Sequence, residues 1–327
     1  MTACLTLSQD REIPFEELRM QAIQLGWQEI GVTPAQVPEE DVQAYLQWLK
    51  RGGHGELAWM EKEMRCYPEQ LFPGAKTAIL FLSYYKQEKL PFREDAGVVA
   101  SYARGRDYHR VHQKRLKKFI QWLEIRTGER GIAKGFSDSS PLLEKALAVQ
   151  AGLGWFGKNT LLIHRRLGTY TLISGVLTTL EFSYAAVHPR LPKCGSCRRC
   201  LDACPTQALV APYHLDAAKC LSYQLIESKK PLSQETIKSN PGYIFGCDIC
   251  QDVCPHNMRT PLSLSPEFSP EQGMGGYLKL EQVEKLEKTP EALHGTPLQR
   301  RGVQGLRHTA ETLFASGVEN SGEREET

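Results

Sequence analysis

The sequence predicts an α+β chain built as an α/β domain over residues 1–185, a cysteine-rich module over 186–260 and a short helical C-terminal region with an acidic tail over 261–327. Three observations predict it. Amphipathic helical stretches alternate with short apolar strands up to about residue 185; eight of the ten cysteines fall between Cys194 and Cys254; and beyond Pro255 the chain is broken by Pro261, Pro266, Pro270, Pro290 and Pro297.

Residues Ile13 to Leu25 carry Leu18, Ala22 and Leu25 near helical spacing and stop at Gly26, a glycine end signal. Trp27 to Val32 reads as a strand. Asp41 to Lys50 is a second amphipathic helix, ended by the loop Gly52-Gly-His-Gly55, and Thr77 to Ser83 is a short apolar run that suits a buried strand. Asp107 to Arg126 turns Val111, Leu116, Phe119 and Leu123 inward as a helix and meets breakers at Gly128 and Gly131. A further helix is expected from Pro141 to Ala151, then strands at Thr160 to Ile163 and Tyr170 to Phe182. His188-Pro-Arg-Leu-Pro192 marks a boundary, because two prolines in five residues continue neither helix nor strand.

With 327 residues, 41% of them hydrophobic and 24% charged, the chain is long enough for two compact domains and is not of disordered composition. Net charge is only +2, so attraction to nucleic acid has to come from local clustering. Asp10, Arg11 and Glu12 occupy the place where a signal peptide needs an apolar run, and no stretch is apolar enough to span a membrane. A cytoplasmic protein with no membrane segment is expected.

Cys194-x2-Cys197-x2-Cys200-x3-Cys204-Pro205 is the bacterial ferredoxin run, in which three thiolates hold one cubane and the fourth crosses to a second. Cys247-x2-Cys250-x3-Cys254-Pro255 repeats its last three positions, with Cys220 as the remaining thiolate. The module is therefore ferredoxin-like, with two 4Fe-4S clusters: Cys194, Cys197, Cys200 and Cys254 on the first, Cys204, Cys220, Cys247 and Cys250 on the second. A zinc ribbon on Cys194/Cys197 and Cys247/Cys250 would leave four cysteines idle and both Cys-Pro signals unexplained.

In Gly135-Phe-Ser-Asp138-Ser-Ser-Pro141-Leu-Leu-Glu144 a lone aspartate precedes a helix, which by itself is a capping pattern. Ala151-Gly-Leu-Gly-Trp-Phe-Gly157-Lys158-Asn159-Thr160 sets three glycines before a lysine, a loop that permits close approach to a ligand and equally suits a structural turn. Arg104 to Lys118 holds seven basic residues against one acidic, either a solvated helix face or a phosphate-binding one. Asp107-x-His109-x-x-His112 lacks the glycine of the Asp-x-His-x-x-Gly pattern that gives cobalamin a histidine ligand, so no such ligation is read from it.

Together Tyr102-Ala-Arg-Gly-Arg-Asp-Tyr-His109, Ser137-Asp-Ser139, the 151–160 loop, Cys220-Leu-Ser-Tyr223, Gly246-Cys-Asp-Ile-Cys-Gln251 and both cysteine runs resemble the epoxyqueuosine reductase family, from about residue 12 to 310. The resemblance implies a nitroreductase-like cobalamin-binding domain and reduction of the epoxide of epoxyqueuosine in tRNA to queuosine. It implies electrons passed from an external low-potential donor through two 4Fe-4S clusters to cobalamin, and Asp138 as proton donor. It assigns Tyr102, Asp138, Lys158, Asn159, Thr160, Ser222 and Asp248 to cofactor binding and turns Arg104, Arg106, Lys114, Arg115 and Lys118 toward tRNA. Burial against the corrin would raise the Asp138 carboxyl pKa and keep it protonated. Many family members continue into a helical-repeat domain, whereas this sequence stops soon after Leu298-Gln-Arg-Arg-Gly-Val-Gln-Gly-Leu-Arg-His308. The rival readings are a reductive dehalogenase, which would have no use for the basic helix, and a noncatalytic electron carrier, which would need no large α/β domain.

Overall fold

The computed structural model describes residues 13–189 and 191–315; Cys4, the charges at Asp10, Arg11 and Glu12, Arg190 in the boundary segment and the acidic tail from Glu323 lie outside the described residues. The first half runs α1 (Phe15–Gln24), β1 (Glu29–Pro34), α2 (Glu39–Lys50), β2 (Thr77–Tyr84), β3 (Gly97–Val99), α3 (Tyr108–Thr127), β4 (Ala133–Ser137), α4 (Glu144–Gln150) and β5 (Thr171–Thr178). Strands β1, β2, β5 and β4 lie side by side in that order, each antiparallel to its neighbours.

The apolar run of β2 is buried along its whole length because helices cover both faces of this sheet. Its side chains divide by the two-residue period of a strand. Ala78, Leu80 and Leu82 join Val42 and Tyr45 of α2 and Ala146 and Leu147 of α4, while Ile79 and Phe81 join Leu18 of α1 and Leu116, Phe119 and Leu123 of α3. On the second face Trp27 stacks on Phe81 at 4.1 Å between ring centroids, and Phe119 meets Phe81 edge-on at 4.8 Å. Each such side chain contributes about 1.5–3 kcal/mol by leaving water. Gly175 in β5 leaves room for Phe136; a Cβ there would lie 2.4 Å from that ring.

The second half adds α5 (Leu221–Ile226), β6 (Tyr243–Phe245), β7 (Tyr277–Leu278), α6 (Leu280–Lys288) and α7 (Gly302–Ala315). Strand β3 pairs in parallel with β6 and antiparallel with β7, so one small sheet takes a strand from each of the three segments read in the sequence. Val99, Ile244, Phe245, Leu278, Val283, Leu286, Leu298 and Leu306 close one core over it. Within the cysteine module, two short helical turns, Arg199–Asp202 and Ile249–Asp252, repeat one design: each leads into a Cys-Pro, where Cys204 N–H bonds to Leu201 O and Cys254 N–H to Gln251 O.

Several elements differ from the sequence expectation. The helix expected at Pro141 begins only at Glu144, because Ser140 N–H turns back to Ser137 O and Leu143 N–H bonds to Arg65 O, and its first turn has no side-chain cap. Asp138 therefore does not cap it. The strand expected over Tyr170 to Phe182 is confined to Thr171–Thr178, since the Thr178 hydroxyl donates to Ile132 O and Thr77 to Leu180 O, which folds the chain off the sheet. The first strand is displaced to Glu29–Pro34, and only Leu162–Ile163 of the expected Thr160 to Ile163 pairs, with Trp155–Phe156. Asp107 caps α3 as its sequence position suggests, accepting from His109 N–H, and Gly128 ends that helix at φ +75°.

Candidate active site and thiol clusters

Strand β4 ends at Ser137, and the next residue, Asp138, takes a left-handed backbone with φ +37°, which is rare for a residue other than glycine. That turn points its carboxylate at the first turn of α3. The Tyr108 hydroxyl donates to Asp138 Oδ2 at 2.8 Å, and His109 Nε2 lies 3.0 Å from the same oxygen. His109 Nδ1 lies 2.8 Å from Asp107 Oδ1, and the Tyr108 and His109 rings stack at 4.1 Å. Beneath them His112 is fully buried between the hydroxyls of Ser137 and Ser83, and its burial pushes its pKa down to about 3, so it is neutral.

Burial raises the Asp138 carboxyl, but hydrogen bonds from His109 and Tyr108 outweigh burial and hold its pKa below the ordinary carboxylate range. This corrects the expectation of a protonated Asp138. Burial lowers the His109 pKa, yet its bonds to Asp107 and Asp138 reverse this and lift it to about 9. At neutral pH the proton thus sits on His109. The Asp138 side chain is 59% exposed, because it faces a cavity.

That cavity measures about 690 Å³ and is lined on one side by Tyr102, Tyr108, His109, Asp138 and Ser139 and on the other by Ile226, Glu227, Pro297 and Arg300. Arg300 grips Glu227 with Nη2 2.6 Å and Nε 3.0 Å from its carboxylate oxygens, tying the end of α5 to the C-terminal region. Arg65, 5% exposed, lies under the Trp59 ring at 4.8 Å and brings a buried cation to the cavity edge. Glu144 has a buried Oε1 with no hydrogen-bond partner, and burial, then the charge of Asp138, push its pKa well up. Tyr108 and His109 stand inside the quoted motif but went unassigned there. Trp59, Arg65, Glu227 and Arg300 carry no local signal, since only the fold assembles them.

Of the residues assigned to cofactor binding, Tyr102 and Asp138 line the cavity and the others do not. Lys158 Nζ donates to Gly195 O at 2.6 Å and Cys197 O at 2.9 Å, and Asn159 Nδ2 reaches Cys250 O at 3.4 Å. Thr160 accepts Lys145 Nζ on its carbonyl. Asp248 is buried, accepts from Ser101 N–H at 2.7 Å, and is raised by that burial to about 6. Ser222 lies in the first turn of α5, where its N–H, with that of Tyr223, faces the Cys220 sulfur. The glycines of the 151–160 loop serve the protein's own packing: a Cβ on Gly154 would lie 2.3 Å from Ile163 O, and one on Gly157 would lie 2.5 Å from Asn159 Oδ1. The loop braces the cysteine module.

The thiols gather in two sets of four. After burial, Cys254 feels Cys194 and Cys197, and Cys200 feels Cys254 and Cys194. Cys220 feels Cys204, and Cys247 feels Cys220 and Cys204. Cys250 feels Cys247, Cys220 and Cys204 first and Cys200 only after them, so the sets adjoin. Among the described residues no three His, Cys, Asp or Glu side chains close around a single-ion site. No cysteine among the described residues is in a disulfide.

The basic helix divides. Arg104, 3% exposed, donates to Val99 O and Glu88 O, and Arg115, 7% exposed, pairs with Glu267 at 2.9 Å and bonds to Gly26 O. Arg104 is an internal brace, which corrects its assignment to a nucleic-acid surface; Arg115 is paired inward and also reaches the rim of the basic pocket beside it. Arg106, Lys114 and Lys118 are exposed, and with Arg110 they line a surface pocket of about 480 Å³ that shares Asp107 with the larger cavity. No helix among the described residues is long and apolar enough to cross a membrane.

Residues 193–257 match the family described as a 4Fe-4S double cluster binding domain, and residues 65–139 match that described as epoxyqueuosine reductase QueG, DUF1730. An epoxyqueuosine reductase of Gloeobacter violaceus is 36% identical over 312 residues, 92% of this chain and 96% of the relative. That of Pseudomonas aeruginosa is 35% identical, with 86% and 79% of the two chains covered. Among solved structures, an epoxyqueuosine reductase with an epoxyqueuosine-modified tRNA-Tyr stem loop superposes with a TM-score of 0.82 at 28% identity, covering 92% of this chain and 81% of that one. The Bacillus subtilis enzyme with its catalytic aspartate loop swung out of the active site gives 0.80 at 27% identity, with the same coverage.

Proposed function

Because the chain belongs to the epoxyqueuosine reductase family, we propose that it reduces the epoxide of epoxyqueuosine in tRNA to the cyclopentene of queuosine, the last step of queuosine biosynthesis. The observation that carries this reading is the placement of Asp138 and its proton-bearing neighbour His109 on one wall of a cavity whose other wall is the end of α5, the helix that starts at the cluster thiol Cys220. A redox group in that cavity would lie between the module whose thiols would hold the electron-relaying clusters and the His109–Asp138 pair that would supply the proton.

The reaction consumes two electrons and two protons and releases water. Cobalamin, when bound, would supply the two-electron reducing chemistry, and two 4Fe-4S clusters would relay the electrons singly. The residues fit these groups. Two four-thiol sets stand ready for two cubanes, Cys194, Cys197, Cys200 and Cys254 for one and Cys204, Cys220, Cys247 and Cys250 for the other. Tyr102 and the Glu227–Arg300 pair border the space for the macrocycle, and the chain divides by role into residues 1–185, a nitroreductase-like catalytic domain, 186–260, the relay, and 261–327, which completes the cavity wall. Lys158, Asn159, Ser222 and Asp248 act at one remove, holding the cysteine loops.

Opening an epoxide at neutral pH is slow unless a proton arrives as the oxygen departs. Asp138 holds the hydrogen-bonding position for that oxygen, and His109 holds the proton. Transfer from His109 through Asp138 protonates the alkoxide, and the Tyr108 hydroxyl steadies the carboxylate as its charge changes. The surface of Arg106, Arg110, Lys114 and Lys118 beside the cavity suits the phosphates that flank the modified nucleoside. A reducing compartment preserves cluster cysteines, which supports a cytoplasmic enzyme. An anaerobic assay on tRNA carrying epoxyqueuosine, with a low-potential donor and with or without cobalamin, tests the reading: cobalamin-dependent appearance of queuosine is expected, and cobalamin-independent or absent conversion would refute it.

A further inference from the structure

We infer that the basic surface around the first thiol set, Cys194, Cys197, Cys200 and Cys254, is the docking face for an acidic, one-electron carrier protein. This rests on the reading of two clusters feeding the cavity. The surroundings of the two sets differ. Beside Cys247 of the second set Phe245, Gly246 and Asp248 are buried, and α5 runs from Cys220 into the cavity wall, with Ala218 and Lys219 exposed ahead of it; beside the first set Lys193, Gly195, Ser196, Arg198 and Arg199 are all exposed, and the set lies farther along the chain of thiols from that wall. Electrons that end in the cavity therefore enter at the first set.

The entry face is positive and partly apolar. Lys193 Nζ lies 5.2 Å from the Trp155 ring centroid, and Trp155 shares an apolar cluster with Cys254 and Cys194. Arg199 Nη1 reaches 3.8 Å from Met258 Sδ, and Arg259 follows it in the chain, exposed. Asp202 offsets only Arg198, at 3.5 Å. Met258 and Leu191, 70% and 66% exposed, supply apolar area among these charges. Small, charge-steered contacts of this composition serve transient electron-transfer encounters, which must form fast and release fast. Substrate phosphates have a separate surface at Lys114 and Lys118, on the far side of Asp107 from the cavity.

The test uses the full chain reconstituted anaerobically with iron and sulfide, and a reduced acidic plant-type ferredoxin as the probe. Stopped-flow bleaching of the cluster absorption is followed against salt, with dithionite as a small-molecule control. Lys193→Glu, Arg199→Glu and Arg259→Glu together should slow reduction by the ferredoxin about tenfold or more at low ionic strength and flatten its salt dependence, with the dithionite rate and iron content unchanged. The milder set Lys193→Gln, Arg199→Gln and Arg259→Gln should give an intermediate loss, and decides the matter if the reversed set assembles poorly. Unchanged ferredoxin rates and salt slopes in the glutamine set would overturn the inference. So would loss of tRNA binding with normal ferredoxin reduction, which would make the face a nucleic-acid surface. Wild-type protein that takes up no iron would sink the cluster reading itself, and iron analysis of the same samples separates that failure from a misplaced docking face.

Discussion

His109 is clamped between two carboxylates, with Nε2 3.0 Å from Asp138 Oδ2 and Nδ1 2.8 Å from Asp107 Oδ1. The clamp makes the imidazole, rather than the carboxyl, the resting place of the proton. Its two bonds reinforce each other: Asp107 is fixed by capping α3, which sets the ring's orientation, and the left-handed turn at Asp138 brings the second carboxylate to the remaining nitrogen.

Activity should therefore follow the ionisation of this pair. The His109 pKa is raised from 6.5 to about 9, so its stabilising contribution is fully present below 6.5 and is lost as pH rises through about 9. Asp138 is shifted the other way, so its share is present above its unfolded pKa and is lost as pH falls through the depressed folded value. Single-turnover rates with dithionite-reduced enzyme should fall on the alkaline side near pH 9. His109→Gln should remove that limb and lower the rate at pH 7, while tRNA affinity and iron content hold. A variant that keeps the wild-type alkaline limb would take His109 out of the proton path.

Asp138→Asn preserves size and hydrogen bonding but cannot relay a proton. Turnover should fall by about 10²- to 10⁴-fold, the usual contribution of general acid–base catalysis, with cobalamin, iron and tRNA binding retained. The His109 pKa, followed by NMR, should drop at the same time because one of its two carboxylates is gone. Near-normal turnover would show that Asp138 is a structural turn residue and that another group donates.

Cys220→Ala probes the thiol sets. Cys220 stands apart from both Cys-x2-Cys runs, yet burial, the N–H groups of Tyr223 and Ser222 and then the neighbouring Cys204 set its environment, and it immediately precedes α5. Losing it should cut reconstituted iron from about eight to about four per chain and leave the first cluster's spectrum in place. Full iron content with an unaltered spectrum would remove Cys220 from the ligands.

How much of this was legible in the sequence depended on the range of the interaction. The cysteine spacing within each run is local, so the double-cluster module, which residues 193–257 match, could be read directly. The buried strand at Thr77 was equally plain, being a continuous apolar run. The sheet that joins Gly97–Val99, Tyr243–Phe245 and Tyr277–Leu278 could not be read, because strands of two or three residues have no usable period. Glu227 and Arg300 meet across 73 residues, and neither has a neighbourhood that marks it. The Asp138 ionisation was misread for the same reason: its environment is set by α3, a helix that precedes it in the chain by a turn and a strand.

Charge patterning misled most at the basic helix, and the correction yields a discriminating prediction. A run of basic residues on a helix is spread around its axis, so the hydrophobic stripe of α3 forces some of them inward. Arg115 falls on that inner side with Val111, Leu116 and Phe119, and its pairing with Glu267 and its bonds to Gly26 O and Ser83 Oγ make burial tolerable. Lys114 and Lys118 fall outside and line the pocket next to the cavity. Lys114→Glu with Lys118→Glu should thus weaken tRNA binding and make log affinity less steep against log salt, while leaving the melting temperature within a few degrees of wild type. Arg115→Glu should act in the opposite manner, setting a second negative charge beside the half-buried Glu267. A loss on the order of 1–3 kcal/mol is expected from the buried acceptors left without their donor, seen as a drop in denaturant midpoint before any tRNA is added. Arg115→Glu protein with native stability and selectively weakened tRNA binding would put this guanidinium at the nucleic-acid surface after all.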